Sequence, residues 1–340
     1  MPTERRARHP ELKKSAVIEQ MPRACADEDA AVAFMETQRW GDAPECPVCA
    51  SHDVYKLVKP DGVTRVRYRW RCRACNDQYT VRRGTVYEES RLPLKHWCYA
   101  FWRACTSKKG VSALEIKRHC QISYRTALFL LNRIRHAMAT LPHSRLTGIV
   151  ECDETYVGSK PRRGGPPRKR GRGTPKTPVF AAVARDGGIR RELIPGVSGR
   201  ILKDAVRRHV HPSARLVTDE FIGYHGLGAE FAGGHSSVNH SHGEYGRGDV
   251  HTNTAESSFA LFKRGLIGTY HSVSKRHLHR YLSEFDFRWN TRRLSDGDRV
   301  TAGLKASIGK RLRRAELKTC NKLCFGKQVY QWEDNFQYGK

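Results

Sequence analysis

Ile149-Val150-Glu151-Cys152-Asp153-Glu154-Thr155-Tyr156-Val157 is the stretch on which the reading of this chain turns. Its apolar and β-branched residues predict a strand. Three acids nevertheless stand in it, and an isolated ionised carboxylate in a strand interior costs several kcal/mol to desolvate unless a partner or a metal compensates. Alternation puts Glu151 on the face of Asp153 and Glu154 on the opposite one. A surface charge on an edge strand is the ordinary reading of any of the three; Asp153 is read here as a metal ligand.

Two further acids share that reading. Asp219 closes a second short apolar run, Arg215-Leu216-Val217-Thr218-Asp219, and Glu256 lies in a helical segment. An acid at the carboxyl end of a strand commonly just starts a turn, so Asp219 gains its meaning from the other two. Seven residues after Glu256 comes Lys263, about two turns along the same helix face. Asn253 shares that face and stands as an alternative to Glu256, offering a carbonyl oxygen without charge; Asp249 precedes both. Acids from mid-strand, strand end and helix converge only in a folded α/β core. Such a set suits two-metal phosphoryl transfer, in which carboxylates hold a pair of Mg²⁺ or Mn²⁺ ions. Lys263 would then grip a phosphate beside the scissile bond.

Toward the N-terminus stand Cys46-Pro47-Val48-Cys49 and Cys72-Arg73-Ala74-Cys75. Two Cys-x-x-Cys pairs bring four thiolates to one ion and predict a closed, structural Zn²⁺ site, with the alternating run Thr64 to Trp70 as a strand between them. Asp27 to Trp40 reads as a short helix ending at Gly41, and Leu94 begins another. Val111 to Met138 reads as two helices broken near Cys120-Gln121-Ile122-Ser123, with Ser123 capping the second. This is the outline of a helix-turn-helix, decorated by Lys117, Arg118, Arg125, Arg133 and Arg135, with plain helical packing as the competing reading.

The balance of charge names the partner class. Sixty-two Lys and Arg against 34 acids leave a formal charge of +28 over 340 residues, an electrostatic footprint for a polyanion, most simply double-stranded DNA. A membrane is the weaker choice, because no segment approaches the ~20 apolar residues of a spanning helix. Met1 to Arg6 lacks the apolar core of a signal peptide, so a cytoplasmic, nucleoid-associated protein with reduced thiols is expected. Between Gly158 and Pro178 eight basic residues and no acid stand among many Gly and Pro, a basic loop in which Arg168, Lys169, Arg170 and Arg172 are DNA-binding candidates, as is Arg264 beside Lys263.

His251-Thr252-Asn253-Thr254-Ala255-Glu256, followed by Lys263-Arg264-Gly265-Leu266-Ile267-Gly268-Thr269-Tyr270-His271, resembles the third catalytic block of DDE insertion-sequence transposases of the zinc-ribbon class, prokaryotic relatives of the eukaryotic Merlin transposons. Asp153-Glu154-Thr155-Tyr156-Val157-Gly158 with its basic loop, and Arg280-Tyr281-Leu282-Ser283-Glu284-Phe285 leading to Phe287-Arg288-Trp289-Asn290, resemble it too. The likeness runs from about Asp27 to Asn290, with ribbon, helix-turn-helix candidate and triad in the family's order. It implies an RNase H-like core, a mixed five-stranded sheet flanked by helices, with Asp153, Asp219 and Glu256 binding the metals and Lys263 as the basic residue that follows the glutamate. Some members are described with Asn at the third position, which keeps Asn253 in play.

The expected organisation is a loose tail over 1–24, a helix plus zinc ribbon over 25–90, a helix-turn-helix-like region over 91–142, the catalytic domain over 146–300 and a basic C-terminal tail over 301–340. The expected activity is a transposase that binds terminal inverted repeats, cleaves the ends and joins the 3′-hydroxyl to target DNA as a homo-oligomer. A non-catalytic zinc-ribbon regulator or domesticated remnant, and an RNase H-like nuclease or resolvase, are the rivals.

Overall fold

The computed structural model describes residues 16–57, 68–139, 145–158, 176–244, 246–319, 322–325 and 328–331. Two compact units emerge, one made of residues up to Ala137 together with Arg293–Arg311, the other of Met138–Arg292 with Leu312 onward.

The first unit is helical with a ribbon. Helix α1 (Ala16–Ala26) begins inside the region expected to be a loose tail, and it buries Met21 and Ala24. Asp27 caps α2 (Glu28–Trp40) by accepting from Ala30 N at 2.8 Å, and Gly41 ends it with φ of 59°. Strands β1 (Val54–Lys56), β2 (Trp70–Cys72) and β3 (Gln78–Tyr79) form an antiparallel ribbon. Much of the strand expected from Thr64 lies outside the described residues.

Helix α3 (Leu94–Thr106) buries Trp97, Cys98, Phe101 and Cys105. Helices α4 (Ala113–Cys120) and α5 (Tyr124–Met138) are joined by a turn in which Gln121 takes a left-handed φ of 54°. Ser112 and Ser123 cap them, accepting from Glu115 N and Thr126 N at 3.1 Å each. Helix α9 (Asp296–Lys305) also belongs here, although the sequence assigned its start to the catalytic domain and its end to a basic tail. Val300 and Leu304 are buried, Thr301 Oγ1 donates to Gln38 at 2.8 Å, and Gly309 N donates to Gly84 O at 2.8 Å.

The second unit is built on β4 (Ile149–Val157), β5 (Thr177–Ala184), β6 (Ile189–Leu193), β7 (Arg215–Asp219) and β8 (His235–Val238), in the order β6-β5-β4-β7-β8. The β4/β5 and β5/β6 pairs are antiparallel, while β4/β7 and β7/β8 are parallel. This is the mixed five-stranded sheet expected, with the acid-bearing strand at its centre.

Alternation along β4 and β5 serves two cores. Val150, Cys152, Phe180 and Ala182 pack with α6 (Gly199–His209) through Leu202, Ala205 and Val206. On the opposite face Val179, Ala181 and Val183 pack with α7 (Asn253–Gly265) and α8 (Lys275–Asn290) through Ala255, Phe259, Phe262, Leu278 and Phe285. Register places Glu151 opposite Val183 and Asp153 opposite Ala181, so both acids face α7.

Helix α8 is held to β6 by polar pins. Buried Arg191 donates to Asp286 at 2.6 Å and to Ser258 O at 3.1 Å, and the Asn290 side chain both accepts from Ile189 N at 2.7 Å and donates to Ile189 O at 3.3 Å. Helix α10 (Arg314–Thr319) and a short antiparallel pair, β9 (Lys322–Phe325) with β10 (Gln328–Gln331), complete the described chain.

Candidate active site

The central strand delivers Asp153 half-buried to the face covered by α7. Its Oδ1 accepts from Glu154 N at 2.7 Å. Burial pushes its carboxyl up to about 7, the neighbouring Glu154 charge adds to this, and Asp219 and Glu256 raise it further. Acids crowded together destabilise one another as anions, and a cation relieves that. Carboxylate oxygens are the kind of ligand that hard divalent cations take.

Asp219 reaches the same place through strand register. Glu151 pairs with Val217 in the parallel β4/β7 ladder, and two residues further along each strand stand Asp153 and Asp219. The sequence also allowed Asp219 a turn-starting role, and it has one, its Oδ1 accepting from Phe221 N at 3.2 Å. Glu256 is exposed in the first turn of α7, with Thr252 Oγ1 donating to its Oε1 at 3.5 Å. Asn253 is exposed at the helix start, and Asp249 is drawn aside into an ion pair with Arg215 that holds its carboxyl low.

Lys263 joins the group from the last turn of α7. Its partial burial lowers its ammonium pKa, the Asp153 charge raises it, and Lys176 lowers it. Lys176 thus belongs to the neighbourhood, a residue the sequence placed only in the basic loop; a Cβ on Gly158 would lie 3.0 Å from its side chain. Arg264 is exposed beside Lys263, its Nε donating to Ala260 O at 3.2 Å. Arg168, Lys169, Arg170 and Arg172 lie outside the described residues.

The other two acids of β4 have separate occupations. Tyr224, fully buried on the α6 face, donates to Glu154 Oε2 at 2.9 Å. Glu151 is fully buried on the α7 face and takes a dense set of donors. Sequence reasoning weighed Glu151 only as a surface charge; the local signal was its shared face with Asp153.

In the first unit the four cysteines converge. Cys46 and Cys75 sulfurs lie 3.6 Å apart, as do those of Cys49 and Cys72, and all four Sγ atoms lie within 4.8 Å of one another. Four sulfurs around one zinc at ~2.3 Å stand about 3.8 Å apart, so the cluster fits a structural Zn²⁺. The backbone N–H of Cys75 leads in lowering the Cys72 thiol to about 7, whereas the Cys49 and Cys75 thiols are raised. Trp40 packs edge-on against Trp70 and Tyr79 at 5.8 and 6.0 Å, closing the ribbon's small core.

The arginines expected to meet DNA differ in availability. Arg125 is exposed in the first turn of α5. Arg133 is buried instead, donating to Glu88 O at 2.6 Å and lying over the Trp97 and Phe129 rings at 5.6 and 5.3 Å.

Comparison with known proteins agrees with this architecture. A transposase zinc-ribbon domain matches residues 26–78, and an ISXO2-like transposase domain matches residues 145–290. The chain is 33% identical over 264 residues, 74% of its length, to an "uncharacterized protein in transposable element ISH50" of Halobacterium salinarum, covering 86% of that protein. The chain belongs to the ISXO2-like transposases. Both matched segments coincide with the ribbon and with the α/β unit, so this transposase carries its zinc module and its DDE domain in the family's order. No solved structure matches the chain. Among the described residues no helix is long and apolar enough to cross a membrane.

Proposed function

We propose that this transposase cleaves the ends of its own DNA element and joins them to target DNA, using Asp153, Asp219 and Glu256 as the carboxylates of a two-metal site. The observation that carries this reading is the register that sets Asp153 and Asp219 two residues beyond the Glu151–Val217 pair on adjacent parallel strands, with Asp153 on the face covered by α7, the helix that bears Glu256. A bound pair of Mg²⁺ or Mn²⁺ ions would supply activation of the attacking oxygen and charge stabilisation at the leaving oxygen.

The chain's own residues do the rest. Asp153 and Asp219 present oxygens from adjacent parallel strands, and Glu256 closes the set from α7. Glu256 is preferred to Asn253 because it brings charge and shares a helix face with Lys263. Lys263, held near Asp153, is placed to hold a non-bridging phosphate oxygen, with Lys176 and Arg264 adding backbone grip.

In the first step water attacks phosphorus and the bond to the 3′ oxygen breaks, leaving a 3′-hydroxyl. In the second, that hydroxyl attacks a target phosphodiester in line and displaces its 3′ oxygen. The ribbon and the α4–α5 pair, with Arg125 exposed at the head of α5, bind the terminal inverted repeats. Both ends are processed together, so a homo-oligomer on DNA is the working form, in the cytoplasm on the nucleoid.

Single replacement of Asp153, Asp219 or Glu256 by Ala tests the assignment. Mg²⁺-dependent end cleavage is expected to disappear in each variant, with DNA binding retained; cleavage that survives all three changes would overturn it.

A further inference from the structure

Helix α7 carries both Glu256 and Lys263, yet it starts without a cap of its own. Its N-cap residue is Thr252, whose side chain makes no capping bond. The first amides of a helix have no intrahelical acceptor, and here they point into protein. Thr254 N donates to Glu151 Oε2 at 2.8 Å and Ala255 N to the same oxygen at 2.9 Å. The cap therefore comes from the central strand of the sheet, 103 residues earlier in the chain.

The other carboxylate oxygen is equally engaged. Glu151 Oε1 accepts from Thr254 Oγ1 at 2.9 Å and Arg185 Nε at 2.7 Å, with His251 Nδ1 at 3.3 Å. Arg185 continues to His251 O at 3.0 Å, tying the segment before α7 to the end of β5. A carboxylate offers about four lone-pair sites. With donors on both oxygens and no exposure, Glu151 has no face left for a metal.

Geometry gives this cap a reach beyond stability. Asp153 lies two residues from Glu151 on the same face of β4, and Glu256 directly follows Ala255, whose amide Glu151 holds. One side chain thus fixes the height and the rotation of α7 against the strand. The helix dipole, positive at this end, adds to the attraction.

We propose that Glu151 is a positioning residue that sets the spacing between Asp153 and Glu256, and with it the affinity of the site for divalent cations, by capping α7 from β4. The proposal rests on the reading of Asp153 and Glu256 as partners in one metal site. It assigns Glu151 no contact with substrate or metal.

The test uses the full-length, zinc-loaded protein, with folding checked by circular dichroism. Mn²⁺ binding is titrated calorimetrically for wild type, Glu151→Gln, Thr254→Val and Asp153→Ala, and hydrogen exchange is followed at the Thr254 and Ala255 amides. Glu151→Gln is expected to lose roughly 10- to 100-fold in Mn²⁺ affinity, the range typical of groups that orient metal ligands. Thr254→Val, which removes one donor and keeps both amides capped, is expected to lose less and serves if Glu151→Gln does not fold. Exchange at the two amides should accelerate in Glu151→Gln and remain slow in Thr254→Val.

Unchanged Mn²⁺ affinity in Glu151→Gln, alongside a loss in Asp153→Ala, would overturn the positioning role and leave the active-site reading intact. Unchanged affinity in Asp153→Ala would overturn both. Faster exchange with unchanged affinity would reduce Glu151 to a purely structural cap, which also contradicts the proposal.

Discussion

At the scale of the residue, Asp153 links the sheet to its chemistry through proton binding. Burial, and then its acidic neighbours, push its carboxyl up to about 7 in the fold against 3.8 ordinarily. A raised acid binds its proton more tightly in the native state, so its contribution to stability is complete below the ordinary value and is lost as pH rises through about 7. Without added divalent cation, Asp153→Asn should therefore gain Tm relative to wild type, and the gain should be larger at about pH 8 than at about pH 5. Each kcal/mol relieved corresponds to about 2–4 °C in a domain of this size. Differential scanning calorimetry at the two pH values reads the effect; a gain independent of pH would contradict it.

The unfavourable setting of Asp153 was legible in the sequence, because an acid in a β-branched run has few inexpensive explanations. Glu151 was not, although it stands in the same nine residues, because its partners Thr254 and Ala255 come from a distant helix. Local pattern shows that a buried acid needs compensation and says nothing of who supplies it.

At the scale of the element, some helix starts are written locally in the chain. Asp27, Ser112 and Ser123 are short polar side chains bonding amides three residues on, an interaction contained within one turn of sequence. The zinc knuckles were equally local, and the structure adds a detail: the residue after the second cysteine of each pair is left-handed, Ala50 at φ of 58° and Asn76 at 59°. Asn tolerates that conformation and Ala does not, at a cost of roughly 1–2 kcal/mol. Ala50→Gly is expected to stabilise the ribbon by about 0.5–1 kcal/mol and to slow zinc release to a chelator; faster release would contradict the assignment.

The helix-turn-helix candidate separates by the same logic. Arg125→Ala should weaken DNA binding and reduce the salt-dependence slope by about one. Arg133→Ala should leave that slope alone and destabilise the first unit by roughly 1–3 kcal/mol, since it removes a buried bond to Glu88 O and two ring contacts. Filter binding across a salt series distinguishes them. Charge alone made these two arginines equivalent; the burial of Arg133 against Glu88 O and the Trp97 ring tells them apart.

At the scale of the whole molecule, the order of modules could be read along the chain, but the return of Arg293–Arg311 to the first unit could not. Helix α9 follows α8 of the α/β unit directly in sequence, and its apolar positions fit any helical core. Tertiary contacts decide the matter, with Val300 fully buried in that unit. Val300→Asp would bury an unpaired charge, costing several kcal/mol. Hydrogen exchange should then rise across α1–α3 while β4–β8 stay protected; the opposite pattern would refute the assignment of α9.

The charge of +28, the zinc ribbon and the acids of the α/β unit are what the proposal of metal chemistry on DNA rests on. Strand transfer with pre-cut element ends bearing a free 3′-hydroxyl, in Mg²⁺ or Mn²⁺, tests that claim most directly. The wild-type protein should join such ends to target DNA, and Asp153→Asn, Asp219→Asn and Glu256→Gln should bind them without joining. Absence of joining by the wild type while it cuts intact ends, or joining that persists in all three variants, would contradict the account.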